Sequence, residues 1–576
     1  MPDSHPRVAY FSMEIALESG LPTYAGGLGV LAGDTLRSCA DLGLALCAVT
    51  LVHRQGYFRQ SISPDGHQRE LPDPWRPEER LEALEPRVLL EIGGKAVRLR
   101  AWRYRISGAR GAEIPVYLLD ADLPENAPEH RRLTDRLYGG DEAYRLGQEL
   151  LLGVGGVRML RALGHRDLRR FHLNEGHAAL AIPELIEELL AQRGGDLEDA
   201  IEAVRGHCVF TTHTPVPAGH DRFPEALWKR VLGERMSARL AQLGAEGELN
   251  LTQLALSGSH FVNGVAMRHG EVSRGMFPGL PIRSITNGVH LATWAAPSFR
   301  DLFDRYIPHW RSDAFSLRHA TAIGLEEIAA AHAAAKRRLL DIVRERTGCA
   351  LDPDVLTLGF GRRATAYKRA TLVLRDLAAL RRIRASGGPL QLVFGGKAHP
   401  NDAEGRAIIH EIHRVARKAG DELRIVFLPG YDMNVCGRLV AGCDVWLNTP
   451  IPPLEASGTS GMKAAVNGVP SLSVLDGWWV EGWIENVTGW SIGEDGDGEE
   501  LSADERDRLH ASQLYEKLES VVVPCYYREQ ERFLSVMRQA IAVNASHFNT
   551  QRMVQEYLFE AYRTGNGDPA DAVGSG

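Results

Sequence analysis

From residue 355 onward, short apolar and β-branched runs alternate with amphipathic segments at the spacing of strand–helix units. The runs at 355–360, 390–394, 424–428, 444–447 and 471–475 predict strands, and the segments 368–386, 402–419, 433–442 and 459–468 predict the intervening helices. Such alternation specifies a doubly wound parallel sheet whose ligand loops follow the carboxyl ends of the strands. The first half shows the same grammar with interruptions: strands at 8–12, 44–52, 171–174, 208–212 and 282–286, and a helical stretch at 177–193. The proline-containing, charge-scattered segment 54–135 reads as a β-rich or irregular insertion. The expected fold is α/β, with two Rossmann-like doubly wound domains, 1–300 and 301–545, meeting near 295–310 and facing across a cleft. Residues 546–576 predict a helix to about 562 that crosses back onto the first domain, then a small, polar, disordered tail from Thr564.

Composition narrows the function classes without choosing one. The chain has 576 residues, 44% hydrophobic and 24% charged, and a formal net charge of −8, so a basic nucleic-acid-binding surface is not indicated. No apolar run approaches the ~20 residues of a membrane span, and the first residues lack the pattern of a secretory signal, which predicts the cytoplasm. The seven cysteines are odd in number and contain no CxxC pair, arguing against a disulfide framework or a structural zinc site.

Candidate chemistry gathers at the predicted strand ends. Glu455-Ala-Ser457-Gly458-Thr459-Ser460-Gly-Met-Lys463 is an anion cradle opening a helix, with a lysine one turn inside. Lys463 could neutralise a phosphate or form an imine with an aldehyde cofactor. Tyr24-Ala25-Gly26-Gly27-Leu28-Gly permits close backbone approach to a ligand, or tight packing of helix on strand. The cations of Gly361-Arg362-Arg363-Ala-Thr-Ala-Tyr-Lys368-Arg369 converge on a phosphate or form a solvated helix face. His172, Asn174, Glu175 and His177, and then His213, end two strands of the first half. His172 and His177 do not share a helical face, so no metal site is expected from them, and core histidines are the plainer reading. Asn287-Gly is either a turn or a polar contact.

These motifs, taken together and in order from about residue 8 to 485, resemble those of the α-glucan phosphorylases. The resemblance implies a GT-B type fold and pyridoxal 5′-phosphate held by Lys463, with Thr459, Ser460, Arg362 and Gly27 beside it. It gives Arg363 and Lys368 the orthophosphate, His213 a place against the transferred glucose, and Lys397 a supporting role. Gly26, Leu28, Asn174, Glu175, Asn287, Glu455, Ser457 and Gly458 would contact sugar or phosphate. The implied reaction moves a terminal glucosyl unit of an α-1,4-glucan or maltodextrin to orthophosphate, giving α-glucose 1-phosphate with retained configuration, without a metal, membrane or nucleic-acid partner. Ala25 stands where many members have asparagine, Arg362 where they have lysine, Glu175 where they have aspartate, and Asp432 where they have a cation. The chain is short for the family and starts almost at its first strand, which predicts no control by AMP or by phosphorylation of an N-terminal extension. A homodimer stays open. So do two other functions, a sugar-nucleotide transferase resembling glycogen synthase and a non-catalytic glucan-binding relative. The lysine that such synthases carry ahead of their Gly-Gly-Leu loop is missing at Tyr24-Ala25.

Overall fold

The computed structural model describes residues 7–216, 220–497 and 500–563, so the tail expected to be disordered from Thr564 lies outside the described residues. Two sheets organise the chain. The first is nine-stranded, in the order Ile282–Ser284, Phe261–Gly264, Cys208–Thr211, Arg170–Asn174, Val8–Ser12, Leu46–Leu51, Glu113–Asp120, Lys95–Ser107, Glu82–Ile92. Its strands run parallel from Ile282–Ser284 through Glu113–Asp120, and the last two add on antiparallel. The second sheet is six-stranded and parallel, in the order Ile425–Leu428, Leu390–Gly395, Leu356–Gly361, Val445–Asn448, Ser471–Val474, Gly489–Ile492. This is the mixed α/β architecture with parallel sheets that the alternating pattern implies, and it agrees with the GT-B type fold that the resemblance implies.

Three details differ from the sequence expectation. Of the two readings of 54–135 the β-rich one holds, but its strands Glu82–Ile92, Lys95–Ser107 and Glu113–Asp120 extend the main sheet and do not stand apart from it. Their one-sided burial and abundant charge disguised that role; in Glu82–Ile92 inward and outward positions alternate, as expected for a strand at a solvated edge. The segment 368–386 is not one helix. Short 3₁₀ turns at Ala366–Lys368 and Leu372–Leu374 precede the helix Leu377–Gly387, and Arg369 sits at φ 47°. Its guanidinium is drawn inward onto Thr449 O (2.9 Å), Pro450 O (2.6 Å) and Asp507 (2.8 Å), which the straight helix would not permit. The stretch 177–193 likewise begins as a turn, Gly176–Ala178, before the helix Ala181–Arg193.

Each sheet has a topological switch point, the position where successive connections leave in opposite directions. In the first it lies between Val8–Ser12 and Arg170–Asn174, in the second between Leu356–Gly361 and Val445–Asn448. Ligand crevices open at such points. The strand ends Ser12, Asn174 and Gly361 therefore locate the site before any side chain is considered.

The two halves are joined over the crevice by the hairpin of Arg59–Ile62 and Gln68–Leu71. Gln60 Nε2 donates to Gly396 O (2.7 Å) while Gly430 N donates to Gln60 Oε1 (2.9 Å). Gln68 exchanges a similar pair with Ala398 (2.9 and 3.0 Å). The helix Thr550–Tyr557 returns to the first sheet: Ser38 Oγ and Thr550 Oγ1 are 2.6 Å apart, and Tyr557 OH meets Thr211 Oγ1 (3.0 Å) and Asn263 Nδ2 (2.9 Å). Met553, Val554 and Tyr557 share a core with Tyr10, Leu36 and Val209. No described helix is long and apolar enough to cross a membrane, and every described cysteine is a free thiol.

Candidate active site

A cleft of about 570 Å³ lies between the two switch points. Every residue to which the resemblance gives a site role lines it except Asn174: Gly26, Gly27, Leu28, Glu175, His213, Asn287, Arg362, Arg363, Lys368, Lys397, Glu455, Ser457, Gly458, Thr459, Ser460 and Lys463; His172 and Arg369 lie outside it. Local geometry explains how they converge.

The glycine motif divides its labour. A Cβ built on Gly26 or Gly27 would meet no protein atom within 4 Å, so both positions face open cleft. Gly33, further along the helix Gly27–Asp41 that the motif opens, packs that helix: a Cβ there would stand 2.1 Å from Ala16 O. The N–H groups just ahead of the helix Gly27–Asp41 are already taken, because the Glu14 carboxylate accepts from Ala25 N (2.6 Å) and Gly26 N (3.1 Å), and it also holds Tyr138 OH (3.0 Å). Sequence reading missed Glu14. Its position just beyond the strand Val8–Ser12, at a switch point, was the available signal.

The cradle before Lys463 is built on charge. Glu455, buried, accepts from Arg362 Nη1 (2.8 Å) and from Lys368 Nζ (2.6 and 2.7 Å). Burial opposes its ionisation, but the two cations prevail and hold its carboxyl below the usual range. Arg362 Nη2 also donates to Ser460 Oγ (2.9 Å). Beneath, Asp476 accepts from Glu455 N (2.8 Å) and Gly477 N (2.9 Å), and burial pushes its carboxyl up to about 7. Lys368 is thus tied to Glu455, whereas Arg363 is exposed and has no hydrogen-bond or ion-pair partner among the described residues. Gly458, at φ 89°, turns the chain into the helix Thr459–Val466. From its first turn Lys463 Nζ reaches Thr459 Oγ1 (3.3 Å) and lies 4.4 Å from the centre of the Trp294 ring. Among the described residues no carboxylate lies within ion-pair distance of it. Trp294, which carried no sequence signal, is fixed by Asn467 Nδ2 on its carbonyl (2.9 Å) and by its own indole N–H on Asp34 (2.6 Å).

On the opposite wall burial drives His213 down to about 3, so its ring is neutral near neutrality. Asn174 sits behind it and not in the cleft. Asn174 Nδ2 donates to Ser12 Oγ (3.0 Å), which leaves Oδ1 to accept the ring Nε2–H of His213 (2.7 Å). Asn174, for which a sugar contact is expected, here fixes the tautomer of the His213 ring. Glu175, at φ 76°, takes His213 N (2.8 Å) and Thr214 Oγ1 (3.2 Å). Ser457 Oγ and Asn287 Oδ1 are buried with no partner, and both residues line the cleft. Asp432, the departure from the expected cation, caps the helix Met433–Gly442 through Val435 N (2.8 Å). Lys397 is half-buried and donates to Phe58 O (3.1 Å).

The family model for carbohydrate phosphorylase matches residues 221–521. The chain is 39% identical to the maltodextrin phosphorylase of Thermococcus litoralis over 96% of its own length and 70% of the relative's. The chain belongs to the carbohydrate phosphorylase family. A glycogen phosphorylase of Mycobacterium tuberculosis is likewise 39% identical, covering 96% of this chain and 70% of its own, and that of Aquifex aeolicus is 36% identical, covering 96% and 86%.

Proposed function

We propose that the protein is an α-1,4-glucan phosphorylase that uses pyridoxal 5′-phosphate and works in the cytoplasm, moving a terminal glucosyl unit from glycogen or maltodextrin to orthophosphate. The observation that carries this reading is the pairing of an unpartnered Arg363 with a lysine, Lys463, that has no carboxylate and lies against an aromatic ring, in a cleft that also contains unsatisfied sugar-binding atoms.

The residues fit the cofactor. Lys463 would hold it, Trp294 would border it, and the open space beside Gly26 and Gly27 accommodates a ligand that any side chain there would obstruct. When bound, pyridoxal phosphate supplies a phosphate that ionises near neutrality, as phosphorylated side chains do at about 6, and so can exchange a proton with the substrate phosphate. The helix start at Thr459 and the Arg363 guanidinium lower the repulsion between two phosphates in one cleft. Arg362 and Lys368 orient the Glu455 carboxylate toward a glucose hydroxyl, with Ser457 and Asn287 supplying further contacts. A neutral His213 suits a transition state that gathers positive charge on the sugar, because an imidazolium would oppose it.

The test is release of glucose 1-phosphate from maltodextrin by protein purified with pyridoxal phosphate. We expect release that stops when orthophosphate is withheld, and a Lys463→Ala protein that has lost both the cofactor's absorbance and the activity. Full activity of Lys463→Ala without added cofactor, or glucosyl transfer from a sugar nucleotide in place of phosphorolysis, overturns the assignment.

A further inference from the structure

One cluster on the first-sheet side of the cleft has no part in the chemistry above. Glu149 is the next-to-last residue of the helix Glu142–Leu150, His177 lies in the turn Gly176–Ala178, and Asp221 precedes the strand Arg222–Pro224. Each offers a ligand atom, and these atoms all lie within 4.8 Å of one another. His177 Nε2 is 3.3 Å from Asp221 Oδ2. His177 and Asp221 line the cleft, while Glu149 stands behind them.

The charge balance points to a missing cation. Arg145 is the guanidinium at the cluster, and it is spent on Asp221 at 2.6 Å. Glu149 is 1% exposed, and neither of its carboxylate oxygens has a hydrogen-bond partner; His177 Nδ1 is also buried and unpartnered. A buried carboxylate beside a second carboxylate, with one guanidinium for both, leaves a negative charge uncompensated. Such an arrangement requires a proton or a metal ion. The helix passes directly after Glu149 into a π-helical turn, Leu151–Gly155, a local irregularity of the sort that re-aims side chains at sites.

We propose that Glu149, His177 and Asp221 bind a divalent transition-metal ion in the cleft wall. One imidazole nitrogen with two carboxylate oxygens suits Zn²⁺ or Mn²⁺ better than the all-oxygen shells of Ca²⁺ and Mg²⁺. The three ligands come from separate elements, at positions 149, 177 and 221, so no sequence spacing announces the site. The ion ties the helix Glu142–Leu150 to the turn that follows Glu175 and to the chain beyond His213. It acts on the shape of the wall and leaves phosphorolysis to the residues described above, so it stands or falls independently of the proposed reaction.

The experiment is metal analysis of the full chain after dialysis against Mn²⁺ or Zn²⁺ and then against metal-free buffer. We expect one equivalent per chain in the wild-type protein and its loss in Glu149→Gln and Asp221→Asn. X-ray absorption of the loaded wild type should show one imidazole nitrogen with carboxylate oxygens, a readout that does not depend on either variant folding. Absence of retained metal in the wild type overturns the proposal and makes Glu149 a neutral acid sharing its proton with Asp221. Metal retained equally by both variants, or a shell containing cysteine sulfur, overturns it as well.

Discussion

At the scale of single residues, the cations of the Arg362–Arg369 run separate by what they already hold. Arg369 anchors the loop below it, Lys368 and Arg362 serve Glu455, and Arg363 alone of the four has no partner among the described residues. Replacing Arg363 by alanine should remove a charge-assisted contact worth about 1.5–3 kcal/mol, raising the KM for phosphate by about 10- to 100-fold. The KM for glucan should move far less, and initial rates across a two-substrate grid will show it. An equal rise in both constants would mean that Arg363 shapes the cleft and does not hold phosphate. The sequence made the residue types legible here, because charged and small residues at strand ends have few structural uses. It could not reveal which cation was occupied, since the carboxylates that occupy them, Glu455 and Asp507, come from 87 and 138 residues away.

At the scale of elements, the glycine-rich turn shows how one motif serves two ends. Gly27→Ala places a methyl group in open cleft and should change the unfolding free energy by less than about 0.5 kcal/mol while weakening phosphate and cofactor binding. Gly33→Ala drives a methyl against Ala16 O and should destabilise by about 1–3 kcal/mol, as overpacking does. Urea midpoints together with cofactor titrations separate the two; a large stability loss at Gly27 would mean that the turn is structural throughout. The parallel strands of the second half were readable because strands buried on both faces are nearly unbroken apolar runs. Gly489–Ile492 went unread, being four residues long and containing a serine and a glycine. The antiparallel strands Glu82–Ile92 and Lys95–Ser107 escaped because half of each faces solvent, so their charges resembled loop composition.

At the scale of the whole molecule, buried neutral histidines set the response to acid. Desolvation lowers His172 and His213 to about 3 and His53 and His269 to about 4, from 6.5. The unfolded chain takes up protons at these sites below pH 6.5 and the folded one does not, so their contribution to stability is present above 6.5 and is lost on acidification. Each group steepens the loss by up to about 1.4 kcal/mol per pH unit. Asp476, raised to about 7 by burial, acts in the opposite sense, since its contribution falls as pH rises through 7; burial also raises Asp135, Glu149 and Glu481, but it lowers His260, His399, His413, His510 and His547 besides the four rings named, so the histidines are the larger set. Denaturant midpoints should therefore fall clearly between pH 6.5 and 5. A flat profile would mean that these rings are charged or hydrated in the folded protein.

The return of Thr550–Tyr557 to the first sheet also has a consequence for how the chain comes to be made. His172, Thr211 and Asn263 all emerge from the ribosome long before Tyr557 and Tyr562, whose hydroxyls and rings cover them. The amino-terminal sheet must wait through the synthesis of the entire second sheet with that face open to water and to neighbouring chains. Contacts so distant in sequence form slowly. Biogenesis, more than the finished enzyme, is thus where this protein has most need of a chaperone.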